Sequence, residues 1–202
     1  SDISIYRNIY DDLKQVTGGF FVQNRIQLSE RLLLGIGLRF DYRNVDRGDE
    51  FSYKSFSDVS PKINLTFKRD TFSTWNFALS KGFRSPSLSE LFLQYESDYG
   101  LNTQGNPNLE PEQLYGLDIS FDRTNKTNLT YSVSTFYYNY KDMIDFVYGL
   151  PVIALNRSDI SSNGLETNIS YKINPNLNLD LGYTFLRVCL LYTSPSPRDR
   201  YI

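Results

Sequence analysis

The 202-residue chain carries a formal charge of -2 and an isoelectric point near 5.2, which leaves no cationic footprint for nucleic acid. It holds 16 Tyr and 14 Phe against one Trp, one Met, one Cys and no His, a bias toward residues that suit pleated, half-buried surfaces. Within this chain an internal disulfide, a His-based triad, a His-rich zinc site and a haem site are excluded, and no run reaches the roughly 18–20 apolar residues of a membrane helix.

Residues 18–28, GGFFVQNRIQL, set Phe20, Val22, Ile26 and Leu28 against Phe21, Gln23, Arg25 and Gln27, and predict a strand closed by a tight turn at Ser29. Leu32, Leu34, Ile36, Leu38, Phe40 and Tyr42 then alternate with Leu33, Gly35, Gly37, Arg39 and Asp41. After a polar stretch the same rhythm returns at Val59, Ile63, Leu65 and Phe67, turns at KRDT from Lys68, and resumes at Trp75, Phe77, Leu79 and Phe83. A long segment intervenes before Tyr115, Leu117, Ile119 and Phe121, which lead through TNKT to Leu129, Tyr131, Val133 and Tyr137. A second long connection, 141–163, precedes Leu165, Ile169 and Tyr171. The NPN turn at Asn174 then opens a final strand with Leu177, Leu179, Leu181, Tyr183 and Phe185.

These patterns predict about eight antiparallel strands whose connections alternate between short and long, the asymmetry of outer-membrane barrels with short periplasmic turns and long extracellular loops. A water-soluble sandwich has the same alternation but exposes Lys and Glu on its outer face. Here the polar face is mostly Gly, Ser, Thr and Asn, as suits a packed or watery lumen, while Tyr and Phe gather near strand ends on the apolar face. In hydrocarbon only closure pairs every backbone group, so eight strands form either a small barrel or an arc of a wider one. Lys81 falls on the apolar face near the long-loop end, where its stem is expected to reach the interface.

The stretch GNPNLEPE (105–112) approaches a strand through two prolines. Pro107 and Pro111 lack amide donors and push Asn106 and Glu110 toward extended conformations, predicting a stiff extended lead-in at a sheet rim. Upstream, Ser87 and Glu90 in SPSLSEL form a capping-box pattern that predicts a short helical turn. Together, in this order and between alternating strands, GFRSPSLSEL (82–91) and GNPNLEPE resemble paired motifs of the TonB-dependent receptors. The matching positions are Gly82, Phe83, Arg84 and Pro86, then Gly105, Asn106, Pro107, Asn108, Leu109, Pro111 and Glu112. LGIGLRFDY from Leu34, FYYNYKDMI from Phe136, and NGLETNISY from Asn163 followed by LGYTF from Leu181 add to the likeness, which covers about residues 15–186.

The resemblance implies an all-β antiparallel transmembrane barrel of about 22 strands, of which 1–186 would form an arc of roughly a third. The plug domain, the TonB-contacting segment and the terminal strand would lie outside this chain. It further implies a Gram-negative outer membrane, no covalent chemistry, no cofactor, and active uptake of a scarce bulky nutrient such as a ferric siderophore or a cobalamin-like molecule. Its partners would be outer-membrane lipid, the chain's own plug, the TonB complex and that ligand. After Leu186 alternation stops, and RVCLLYTSPSPRDRYI, with the lone Cys189, reads as adapter-like sequence joined to a truncated gene, making 187–202 a non-native tail, the alternative being a genuine polar loop.

Arg39, Asp41, Arg84, Asp118 and Glu166 project to the polar face, either to contact a plug or line a ligand's route, or simply to form a hydrated wall. Arg84 and Glu112 resemble family positions at the junction of loop and wall, where a structural role is expected. Tyr95, Tyr99 and Asn102, in the long loop between the two motifs, are the candidates for ligand recognition, because aromatics on long loops make adaptable binding surfaces. Asp49 and Glu50 read as a solvated loop tip, and Asn-x-Ser/Thr triplets such as Asn64-Leu65-Thr66 as chance matches. The rival readings are a complete eight-stranded anchor or adhesin, a passive porin, and a lipid-directed enzyme. The first requires the strand of Phe20 to pair with that of Phe185, and the last requires a base that a chain without His supplies poorly.

Overall fold

Alternating side chains place the strands of the chain in one curled sheet. The computed structural model describes residues 14–46, 53–96, 102–125, 128–149 and 151–192. Its long strands are β1 (Lys14–Ser29), β2 (Leu32–Asp46), β3 (Tyr53–Asp70), β4 (Ser73–Arg84), β7 (Glu112–Thr124), β8 (Leu129–Val147), β9 (Val152–Asn174) and β10 (Leu177–Tyr192). These are the eight expected strands, each antiparallel to its neighbour in chain order. Two short strands, β5 (Gln94–Glu96) and β6 (Asn102–Gln104), and one helix, α1 (Leu88–Phe92), occupy the segment between β4 and β7. β6 lies parallel to β9 at Thr103↔Val152, the one departure from antiparallel pairing among the described strands.

Register confirms the phase read from the sequence. Leu38, Pro61, Leu79, Leu117, Tyr137 and Leu165 belong to one face, and many of that face's large apolar side chains are exposed, Leu79 and Leu181 by more than half. A folded chain leaves that much contiguous apolar surface bare only where something apolar covers it. Near the short turns this face carries an aromatic row. Trp75 lies 4.7 Å from Phe121, and Phe121 lies 6.0 Å from Tyr131, centroid to centroid, as in an interfacial girdle.

The opposite face carries the core. Val45 and Phe56, from β2 and β3, and Ile144 and Ala154, from β8 and β9, pack with Leu91 and Phe92 of α1 and with Leu109. The segment between β4 and β7 is therefore folded back onto the inner face and bridges strands that lie far apart in the sheet.

Several details differ from the sequence reading. The connection 141–163 is no long loop but a continuation of the β8–β9 hairpin, whose two strands reach 19 and 23 residues. Its ladder survives two opposing register shifts around Met143, where Asp142 adopts a left-handed backbone at φ 55°. The shifts cancel, so Ile144 keeps the inward phase of Tyr138. Residues 105–111 are not uniformly extended: the chain turns at Pro107–Asn108. Lys81 does not run out to an interface. Its Nζ lies 2.7 Å from Asp58 Oδ1, because the β3–β4 ladder stops at Lys62↔Ser80, beside Pro61, and the strands are unpaired above that point. β10 stays paired to β9 through Tyr192↔Ser158, past Leu186, since a backbone ladder needs no side-chain alternation.

Among the described residues β1 pairs only with β2, and β10 only with β9. The strand of Phe20 therefore does not meet that of Phe185, and the rival reading of a closed eight-stranded barrel fails, leaving the arc of a wider one.

Candidate ligand-recognition site and its support

Arg84 ends β4 at the rim and binds two carboxylates at once. Its Nε and Nη2 donate to Glu112 at 2.6 and 2.5 Å, and its Nη1 and Nη2 to Glu90 at 2.9 and 3.0 Å. A planar guanidinium suits this double fork, whereas an ammonium offers only a point charge. Its hydrogen bonds to Glu112 and then Glu90 outweigh burial and hold the Arg84 guanidinium above its ordinary range.

Glu90 also closes the capping box predicted from the sequence. Its carboxylate accepts from the Ser87 amide at 2.6 Å, while Ser87 Oγ accepts from the Glu90 amide at 3.2 Å. Burial raises the Glu90 pKa, but hydrogen bonds from Arg84 and Ser87 overcome it and leave the carboxyl below its ordinary value.

From α1 the chain rises into the β5–β6 hairpin, whose two feet are tied together. The Gly105 amide donates to Leu93 O at 2.6 Å, and the Asn106 amide to Glu90 O at 2.8 Å. A Cβ on Gly105 would stand 2.6–2.7 Å from the backbone of Leu91, Phe92 and Leu93, so only glycine permits this approach. Asn106 Oδ1 accepts from the Asn108 amide, forming the turn at Pro107, and its Nδ2 reaches Ala154 O at 3.1 Å. Glu110 and Asn156 exchange two bonds, backbone N–H to Oδ1 at 2.8 Å and Nδ2 to backbone O at 2.9 Å. Glu112 takes a further bond from the Ile144 amide at 2.8 Å. On the far side Arg43 donates to Ser85 Oγ and Pro86 O at 2.9 and 2.8 Å.

Of the residues singled out for recognition, Tyr95 lies on β5 and is 40 % exposed, and Asn102 lies on β6, opposite Glu96. Tyr99 falls outside the described residues, as do Asp49 and Glu50. The inward-facing set does not converge. Arg39 forks onto Asp41 two residues along β2, both contacts at 2.6 Å. Asp118 accepts from Tyr138 Oη at 2.6 Å, and Glu166 sits in register between Ser134 and Thr184. Only Arg84 joins the rim cluster. Asn156 and Arg43, two of its main fasteners, were not singled out from the sequence; nothing in their local pattern distinguishes them from the polar residues around them. No group of acidic, His or Cys side chains suited to a metal ion occurs among the described residues.

This arrangement of wall, inward-folded segment and rim hairpin has clear relatives. The family model of the TonB dependent receptor-like β-barrel matches residues 2–201. The chain belongs to that family. It is 25 % identical over 180 residues to the iron-regulated outer membrane virulence protein of Vibrio cholerae, a match covering 82 % of this chain and 26 % of that protein. Among solved structures, the FrpB iron transporter of Neisseria meningitidis superposes with a TM-score of 0.71 at 19 % identity over 91 % of this chain and 28 % of its own. The hemophore receptor HasR of Serratia marcescens gives 0.73 at 15 % identity, over 86 % and 34 %. The chain thus spans about a quarter of the length of the curated relatives it matches. It is a stretch of TonB-dependent receptor barrel wall, at home in the outer membrane of a Gram-negative bacterium.

Proposed function

We propose that the whole protein is an active transporter that captures a scarce, bulky, iron-bearing nutrient at the cell surface and passes it through a plugged barrel. The observation that carries this reading is the pair of motifs around Arg84 and Glu112, which fold as one unit at the rim and lift the β5–β6 hairpin above the inner face. A ferric siderophore is preferred to a cobalamin-like molecule, because relatives and structural neighbours carry iron-related names. Tyr95, Tyr99 and Asn102 contact that ligand. Arg39, Asp41, Asp118 and Glu166 face a plug supplied by the same full-length chain, whose amino-terminal segment engages TonB. The polypeptide catalyses no covalent step; its work is binding and displacement.

Residues 187–202 are the adapter-like tail inferred above. The β9–β10 ladder does not argue otherwise, since an extended edge of almost any sequence pairs through its backbone. Resequencing the genomic locus decides the point.

The functional test is growth. A strain lacking its own siderophore receptors, carrying the full reading frame, is expected to grow on a single ferric siderophore under iron limitation only when TonB is present. Growth that persists without TonB would instead indicate a passive pore.

A further inference from the structure

We infer that Arg84 is a positioning residue: through Glu90 and Glu112 it sets the orientation of the β5–β6 hairpin over the mouth, and so the receptor's affinity rather than its wall stability. The inference rests on the reading of that hairpin as the recognition element. Three independent lines of geometry support it.

The first is convergence. The Arg84 guanidinium joins the carboxylate that caps α1 to the carboxylate that opens β7, and these two residues bracket the whole segment carrying the hairpin. Without it, the two carboxylates lose the cation that both of them bind.

The second is rigidity downstream. The hairpin's feet, Leu93 and Gly105, are bonded to each other, and Asn106 is bonded to Glu90 O, so the hairpin follows α1 as a body. The Gly105 backbone approach leaves no slack at that joint.

The third is where the wall is weak. β3 and β4 are unpaired above Lys62↔Ser80, and the rim there is tied instead by side chains: Arg43 to Ser85 and Pro86, Lys81 to Asp58, and Lys54 to Glu110 at 3.8 Å. Core packing of Leu91 and Phe92 and the two-residue β6–β9 ladder seat the segment, and none of these side-chain ties reaches both of its ends; the Arg84 fork does, and so sets the angle within that seat.

The test uses the full-length receptor in detergent, free of other cysteines, with spin labels at Gln94→Cys on β5 and Asn139→Cys on β8. A narrow distance distribution is expected for Arg84, a broad one for Arg84→Ala, and an intermediate one for Arg84→Lys, whose point charge cannot fork onto both carboxylates. Affinity for radio-iron-loaded enterobactin, ferrichrome and ferrioxamine, assayed separately, is expected to fall about tenfold in Arg84→Ala for whichever binds, with the melting temperature of the barrel unchanged. An unbroadened distribution in Arg84→Ala overturns the inference. So does unchanged affinity in Arg84→Ala when Tyr95→Ala weakens binding. A broadened distribution with affinity unmoved in both variants upholds the positioning role and overturns the recognition reading of the hairpin instead.

Discussion

Glu90 shows how much one residue can be asked to do. It caps a five-residue helix, accepts both Nη groups of Arg84, and through its carbonyl holds the Asn106 amide. Its folded pKa lies below the ordinary carboxylate value, so the ionised form contributes stability that is fully present above the unfolded pKa of about 4.5 and is lost as pH falls through the lower folded value. Hydrogen exchange at the Ser87 and Asn106 amides, corrected for intrinsic rates, should therefore show protection that is constant near neutrality and declines below about pH 4.5. Glu90→Gln should remove that decline. Protection in the parent protein that stays flat down to pH 3 would show that the carboxylate does not hold the segment. The capping box itself was legible in the sequence, because its partners sit three residues apart. Its second role was not, because Arg84 lies six residues away, outside the capping-box spacing, and reaches Glu90 only once α1 has folded inward beside the Arg84↔Glu112 end of the β4–β7 ladder.

At the scale of elements, the strands were the easiest features to read and their ends the hardest. A side-chain period of two shows wherever one face is apolar, which is why the phase of every long strand held. Above the apolar band both faces turn polar, the period fades, and the continuing β8–β9 hairpin looks like a loop. The same blindness hid the gap between β3 and β4, where Pro61 marks the break in pairing and Lys81 crosses to Asp58. Both partners of that pair are largely buried, with side chains 22 % and 17 % exposed, and Asp58 Oδ2 has no other partner. Lys81→Met would strand the carboxylate and should destabilise the barrel by about 2 kcal/mol, below the full penalty for a deeply buried pair because water reaches this one. Adding Asp58→Asn should recover most of the loss. Unfolding in denaturant, followed by the mobility of the folded barrel on unheated gels, reads both. If the double variant is no more stable than Lys81→Met, the ion pair is not the cause.

Taken as a whole, the described residues form a wall with two free edges. In hydrocarbon the unpaired backbone of β1 and β10 would cost several kcal/mol per group, so the sheet is stable there only as part of a closed ring. That agrees with a chain spanning about a quarter of its curated relatives. The inner face, where α1 and residues 105–111 dock, gives the wall a thickness that the outer face lacks, and the outer face keeps its large apolar side chains bare. Which of these faces meets lipid decides how the wall is oriented. Spin labels placed singly along β7 of the full-length protein in bilayers, from Gly116 to Phe121, report collision with dissolved oxygen, which concentrates in acyl chains, against a water-soluble nickel chelate. Oxygen accessibility is expected to follow a period of two, high at Leu117, Ile119 and Phe121 and low at Gly116, Asp118 and Ser120. The opposite phase, or nickel accessibility at Leu117 and Ile119, would contradict that orientation.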